Sequence, residues 1–194
     1  MEEMEPFLHI PRALSDLDVS KLLEEIPFEQ NVIIIGGKKV NEARLTCFLS
    51  NEKKNYNYSG SSRVPIPIPE IVMNIMEKGI KIINKSDLIG DIYKPFEFNS
   101  CLANYYRDGH DSIGKHSDSE QSLVKDSSIL SISFGATRKL RFHEINKNRV
   151  VELEIKHGDI LLMLPGCQNK YLHEIPKQLK IKEPRINLTF RFYK

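Results

Sequence analysis

The sequence predicts a mainly β fold of the α+β kind, with helices gathered near its N-terminal end. Three observations predict it. After about residue 97 helical spacing stops, and short alternating runs follow at 98–106, 129–134, 139–143, 150–155, 160–164 and 185–193. Gly, Asp, Asn or Pro punctuate most of the gaps, as in a sandwich or jelly roll. Residues 185–191, Arg-Ile-Asn-Leu-Thr-Phe-Arg, alternate polar and apolar without a break, which places the two classes on opposite faces of a strand.

The helices come first. Residues 14–26 predict one, with Ser15 as its cap and Leu14, Leu17, Leu22, Leu23 and Ile26 as its apolar stripe. Residues 69–78 predict a second, with Pro69 at its start and Gly79 just past its end. Strand-like pieces at 31–35 and 43–49 are expected to pack against the β region. Val32 to Lys38 runs into Gly36-Gly37 but lacks the glycine spacing and the ending of a phosphate loop, so it predicts a strand entering a tight turn. The division expected is 1–97, helical support, and 98–194, β core, in one compact unit.

Composition narrows the class. The 194 residues are 40% hydrophobic and 28% charged, the balance of a globular chain long enough to bury its own core. No run of 18 apolar residues occurs, so no membrane span is expected. Cys47, Cys101 and Cys167 are widely spaced and form no CxxC pair, which argues against a disulfide scaffold or zinc ribbon. An intracellular protein of the nucleus or cytoplasm is expected, and a monomer. The net charge of +2 is unevenly spread: residues 36–63 carry six Lys/Arg against two Glu, and 170–194 carry seven against two. Two cationic segments suit an anionic partner, although solvated lysines read the same way.

His-x-Asp occurs twice, at His116-Ser117-Asp118 and His157-Gly158-Asp159. On a strand such a pair delivers an imidazole and a carboxylate to one spot. A distant His then completes the facial triad that suits non-heme Fe(II), leaving positions open. His157-Gly158-Asp159 precedes an apolar run and lies close to His173, so it predicts a structural turn. Between Asp118 and His173 there is room for about four strands. Taken alone, His116 also reads as a loop histidine.

On residues 185–191 the polar face carries Arg185, Asn187, Thr189 and Arg191. If the strand is central, two buried arginines need anions, and a small dicarboxylate would satisfy both. An edge strand facing water is the alternative. Asn104 and Tyr106 share one face of the 98–106 run and add an amide and a phenol.

Asn104-Tyr105-Tyr106-Arg107-Asp108-Gly109, Asp111-Ser112-Ile113, His116-Ser117-Asp118-Ser119-Glu120, Ser131-Ile132-Ser133-Phe134-Gly135, His157-Gly158-Asp159, His173 and the 185–191 strand occur in order. This set resembles the AlkB-like Fe(II)- and 2-oxoglutarate-dependent dioxygenases, nearest the eukaryotic nucleic-acid demethylases, over residues 98–194. The resemblance implies a double-stranded β-helix, or jelly roll, with iron on His116, Asp118 and His173. It implies that Arg185, Tyr106 and Asn187 hold the distal carboxylate of 2-oxoglutarate, and that Asn104 and Arg191 hold the end beside the keto group. O2 is the further cosubstrate.

Before residue 98, Ala43-Arg44-Leu45-Thr46 and Tyr56-Asn57-Tyr58-Ser59-Gly60 resemble the family's nucleotide-recognition lid. There Tyr58 would stack on a flipped base opposite His116, Glu120 would contact its edge, and Arg44 would flank it. The lid departs from the family at Ala43, where Pro is usual, near Phe48-Leu49-Ser50, where a Tyr-Gly pair is usual, and at Ser119, an acidic residue in relatives. The implied activity is oxidative demethylation of 1-methyladenine or 3-methylcytosine in DNA or RNA, as in DNA repair, releasing formaldehyde and succinate. Other readings are a same-fold oxygenase acting on protein or small molecules, and an inactive nucleic-acid-binding module.

Overall fold

The computed structural model describes residues 5–52, 54–58, 61–86, 97–119 and 122–194. The N-terminal part holds β1 (Phe7–Ile10), α1 (Val19–Glu25), β2 (Val32–Ile35), β3 (Lys38–Asn41), β4 (Leu45–Ser50), β5 (Tyr56–Tyr58), β6 (Ser61–Arg63) and α2 (Glu70–Lys85). The β region follows with β7 (Ser100–Tyr106), β8 (Ile113–His116), β9 (Ile129–Gly135), β10 (Arg138–Glu144), β11 (Val150–Ile155) and β12 (Asp159–Met163). It ends with α3 (Cys167–Lys170), β13 (Tyr171–Ile175) and β14 (Arg185–Arg191).

Two sheets form the jelly roll. The larger runs β1-β12-β9-β14-β7-β4 and the smaller β11-β10-β13-β8, with every named pairing antiparallel. All six predicted runs of the β region become strands. β14 is central, between β9 and β7, and all seven of its residues are buried. Both faces of that strand are therefore covered by protein, and the edge-strand alternative fails.

The alternation in β14 sorts two layers. Ile186, Leu188 and Phe190 join the core between the large sheet and the helices. Leu140, Phe142, Ile155, Leu161 and Met163 form a second core between the sheets. Arg185, Asn187, Thr189 and Arg191 face that inter-sheet space and line a cavity in it.

The N-terminal part is woven into the large sheet. β1 pairs with β12, and β4 pairs with β7 across six positions. Sequence position 97 thus marks a change of pattern within one sheet system. α1 is shorter than predicted: Asp18, in place of Ser15, caps it by accepting from Ser20 N at 2.9 Å, and Leu14 and Leu17 pack from the preceding turns. α2 is longer than predicted and passes through Gly79, which is buried in its third turn. A Cβ there would lie 2.9 Å from Ile132 Cδ1 and 3.4 Å from Leu130 Cδ2. Gly79 lets the helix approach the sheet; it does not end it.

The Gly36-Gly37 turn joins β2 to β3 with both glycines at positive φ, the type I′ geometry of tight hairpins. The three cysteines are free and buried. Among the described residues no helix is long and apolar enough to cross a membrane.

Candidate active site

His116 ends β8 and His173 sits in the middle of β13. The two are direct partners in the ladder, with ring centroids 4.2 Å apart. Asp118 lies two residues beyond β8. Four strands, β9 to β12, fill the chain between Asp118 and β13, as the spacing predicts. One ligand atom each from His116, Asp118 and His173 falls within 4.8 Å of the others.

The charge state of this group suits a metal. Burial alone would raise the Asp118 carboxyl, but Arg191 and the two imidazoles hold it well below the usual carboxylate range. Burial lowers His116, and burial with His116 alongside pushes His173 down to about 3. Two neutral imidazoles and one carboxylate are the forms that ligate.

Neighbours orient the three. Arg191 places Nη2 at 2.8 Å and Nε at 3.2 Å from Asp118 Oδ2, which leaves Oδ1 toward His116 Nε2 at 3.7 Å. Asp118 N donates to Gln168 Oε1 at 2.8 Å. His116 Nδ1 sits 2.9 Å from Gly114 O, so it donates there and leaves Nε2 for the metal. His173 Nδ1 has no hydrogen-bond partner among the described residues. Its ring is fixed instead by His116 and by Phe142, the latter 5.9 Å away between centroids.

An open cavity of about 650 Å³, its solvent-filled mouth included, extends from this group into the space between the sheets. Its walls include Asn104, Tyr106, Arg185, Asn187 and Arg191, all five predicted cosubstrate residues. Arg185 is 3% exposed. Its Nη2 donates to Ser133 Oγ at 2.9 Å, while Nε and Nη1 find no partner. A buried guanidinium with idle donors needs an anion. Asn187 Nδ2 donates to Ser131 Oγ at 2.7 Å, and Asn187 Oδ1 accepts from Thr189 Oγ1 at 2.8 Å. Ser131 and Ser133, which sequence reasoning passed over as sites, orient these side chains from β9.

Arg191 differs from expectation in its partner. It grips Asp118, and so ties the cosubstrate strand to the metal group. Arg44 is buried, lines the same cavity and donates from Nε to Asn104 Oδ1 at 2.7 Å. Glu42 lies behind it, 3.6 Å from Arg44 Nη2 and 2.8 Å from Arg63 Nη2. Two of the six cations in 36–63 therefore point inward, as do Arg185 and Arg191 in the second cationic segment. Lys38, Lys39 and Lys54 remain exposed. Tyr58 closes β5, but its side chain lies outside the described residues, and so does Glu120.

His157-Gly158-Asp159 is a structural turn. Gly158 has φ +78, and a Cβ there would meet Leu14 C at 2.6 Å. Asp159 accepts from Arg12 N at 2.8 Å and from His9 Nε2 at 2.7 Å, which anchors the N-terminal strand to the sheet.

A metal triad beside an anion-seeking arginine is a specific combination, and a family model described as "2OG-Fe(II) oxygenase superfamily" matches residues 4–191. The chain belongs to that superfamily. Its relatives place it in the AlkB-like group. The mouse (Mus musculus) "DNA oxidative demethylase ALKBH2" is 32% identical over 144 residues, 70% of this chain and 56% of that protein. The human (Homo sapiens) "Alpha-ketoglutarate-dependent dioxygenase alkB homolog 3" is 31% identical over 186 residues, 91% of this chain and 61% of that one. This member of the superfamily thus spans a little over half the length of these relatives. An uncharacterized protein, R406, of Acanthamoeba polyphaga mimivirus is 30% identical over 97% of this chain and 94% of its own length. The solved structure of OsALKBH1 superposes over 99% of this chain and 100% of that one with TM-score 0.69 at 18% identity, a likeness of fold. Fe(II), 2-oxoglutarate and O2 are the cofactors of the superfamily, and the residues present fit them: one carboxylate, two neutral imidazoles and an unsatisfied guanidinium share one cavity.

Proposed function

We propose that this AlkB-like chain removes N-methyl groups from nucleobases in DNA or RNA by oxidation, releasing formaldehyde and succinate. The observation that carries the proposal is the meeting, in one cavity, of the His116, Asp118 and His173 cluster with the idle donors of Arg185. The names of the ALKBH2 relatives, which describe DNA oxidative demethylation, support the choice of substrate.

His116, Asp118 and His173 would hold the iron. Arg185, Tyr106 and Asn187 would hold the distal carboxylate of 2-oxoglutarate, with Asn104 and Arg191 at its other end. Iron and 2-oxoglutarate bound there would supply the oxidising power, with O2 as oxidant and succinate and CO2 as products, that converts the N-methyl to an N-hydroxymethyl group. The resulting N-hydroxymethyl group breaks its C–N bond. Formaldehyde departs and the base nitrogen recovers its lone pair or proton. The protein's own part is to hold the methyl group against the metal and keep water away.

The target base must leave its stack to reach this cavity, so single-stranded or flipped nucleotides are the substrates. Tyr58 would stack on the base, contributing about 1–3 kcal/mol. Glu120 would meet its edge and favour a cationic lesion such as 1-methyladenine or 3-methylcytosine. Arg44 would close the wall between base and cosubstrate. Exposed Lys38, Lys39 and Lys54 would face phosphates. All proposed ligands come from one chain, so a monomer suffices.

The test gives anaerobically loaded protein 2-oxoglutarate and air with single-stranded DNA or RNA carrying 1-methyladenine, and reads base mass. Loss of one methyl mass with wild type and none with His116→Ala is expected. Succinate without methyl loss would keep an oxygenase and overturn the nucleobase substrate. Neither product, with no iron retained, would overturn the enzyme reading.

A further inference from the structure

The largest fully buried side chain among the described residues is a cation outside the walls of the metal cavity, Arg138 at the start of β10, 1% exposed. Its partners are three main-chain carbonyls and one side-chain amide. Nη1 donates to Asp108 O at 3.1 Å, and Nη2 donates to Asp111 O and Pro176 O, each at 2.8 Å. Nε reaches Gln178 Oε1 at 3.3 Å. The ion pairs among the described residues do not include it, because the Asp111 carboxylate is taken up by Arg107 at 2.8 Å. A buried charge whose direct partners are all dipoles, with the Asp111 and Asp108 carboxylates acting on it only from longer range, is costly. An apolar residue would fill the same space without that cost.

The contacts of Arg138 have a pattern. Asp108 and Asp111 lie in the loop from β7 to β8, and Pro176 and Gln178 lie in the loop from β13 to β14. Each loop joins a cosubstrate strand to a metal strand: Tyr106 to His116 in the first, His173 to Arg185 in the second. The loops are also joined directly, with Gln178 N donating to Gly109 O at 2.8 Å and Gly109 N to Ile181 O at 2.9 Å. They are so close that a Cβ on Gly109 would fall 1.8 Å from Gln178 O. The Arg138 guanidinium also lies 5.5 Å from the centre of the Tyr106 ring, and that of Arg185 lies 5.1 Å from the same ring. Both distances are within cation–π range.

We propose that Arg138 is a positioning residue for 2-oxoglutarate. It fixes the Tyr106 ring between two welded loops, so that the phenol stands beside Arg185 where the distal carboxylate binds. This inference rests on the cosubstrate reading given above. A planar fork of donors is needed for three carbonyls and a ring at once, and a lysine supplies neither the fork nor the stacking plane.

The experiment measures the Kd of 2-oxoglutarate by calorimetry on Mn(II)-loaded protein, for wild type, Arg138→Lys, Tyr106→Phe and the double variant. Arg138→Lys should weaken binding about tenfold, the loss of roughly one charge-assisted hydrogen bond. In the assay KM for 2-oxoglutarate should rise with it, while kcat at saturation changes less than about threefold. If Arg138 works by aiming the phenol, removing the hydroxyl removes its leverage, and the lysine penalty should shrink to within about twofold in the Tyr106→Phe background. A penalty undiminished in that background, or an unchanged Kd in Arg138→Lys, overturns the proposal and leaves Arg138 a loop latch. Should Arg138→Lys fail to fold, Gln178→Ala, which removes one of the guanidinium's partners, should raise Kd about threefold, and an unchanged value overturns the proposal. Wild type binding no 2-oxoglutarate would be a different failure, that of the cosubstrate reading itself.

Discussion

Asp118 shows how one residue's chemistry is settled by neighbours from three elements. Arg191 of β14 neutralises and aims its carboxylate, while Gln168 of α3 accepts its backbone N–H at 2.8 Å. Gln168 is held in turn by Met163, its Nε2 lying 3.3 Å from Sδ. Asp118 lies beyond the last hydrogen-bonded residue of β8, so the sheet does not fix its backbone. Gln168 does. Gln168→Ala should therefore weaken Mn(II) binding about tenfold, in the range of lost outer-shell contacts, with circular dichroism unchanged. An unaltered Kd for the metal would show that Arg191 alone suffices. The same neighbourhood explains what the sequence concealed. His116, Asp118 and His173 were legible from motif order, whereas Gln168, Ser131 and Ser133 are small polar residues whose roles exist only once three strands and a helix converge.

At the scale of elements, α2 lies across the large sheet on a stripe of Val72, Ile75, Gly79 and Ile83. At Gly79 the approach leaves no room for a Cβ without movement of Ile132. Gly79→Ala sets two terms against each other: better helix propensity by about 1 kcal/mol and a Cβ that must move Ile132 Cδ1, the free end of a side chain. The two should nearly cancel. Gly79→Val adds a branched group to the same gap and should cost about 2 kcal/mol, in the range of overpacked cores. Thermal melts of both variants decide it, and a valine variant as stable as wild type would refute the close packing. The sequence places Gly79 at a helix end because glycine usually stops helices; here a tertiary contact decides. β1, β8 and β13 were missed for a related reason. Each is four or five residues long, too short for alternation to register, and is recognised only by its partner strand. The long runs of β7, β9, β10 and β14 were legible because alternation survives over seven residues.

For the molecule as a whole, the site is a store of unfavourable burial. Arg185 lies at 3% exposure with two idle nitrogens, and burial draws its pKa down from the usual guanidinium value. Folding must bring that charge into the space between the sheets before any ligand arrives. Two consequences are separable. Saturating Mn(II) and 2-oxoglutarate at about 100 times Kd should stabilise the fold by about 2.7 kcal/mol. In a chain of this size each kcal/mol moves Tm by about 2–4 °C, so the midpoint should rise by about 5–11 °C. Arg185→Met keeps the packing volume and removes the charge. Its ligand-free Tm should equal or exceed that of wild type, since replacing buried ionic groups by well-packed apolar ones is often neutral or stabilising. The rise on adding 2-oxoglutarate to the Mn(II)-loaded variant should vanish. Differential scanning calorimetry of both proteins, with and without ligand, reads all four values. A ligand-free variant that melts well below wild type would mean that Arg185 serves the fold through Ser133 and Tyr106. Conversely, a gain in stability together with loss of the ligand response would mean that the fold carries this arginine for the ligand alone.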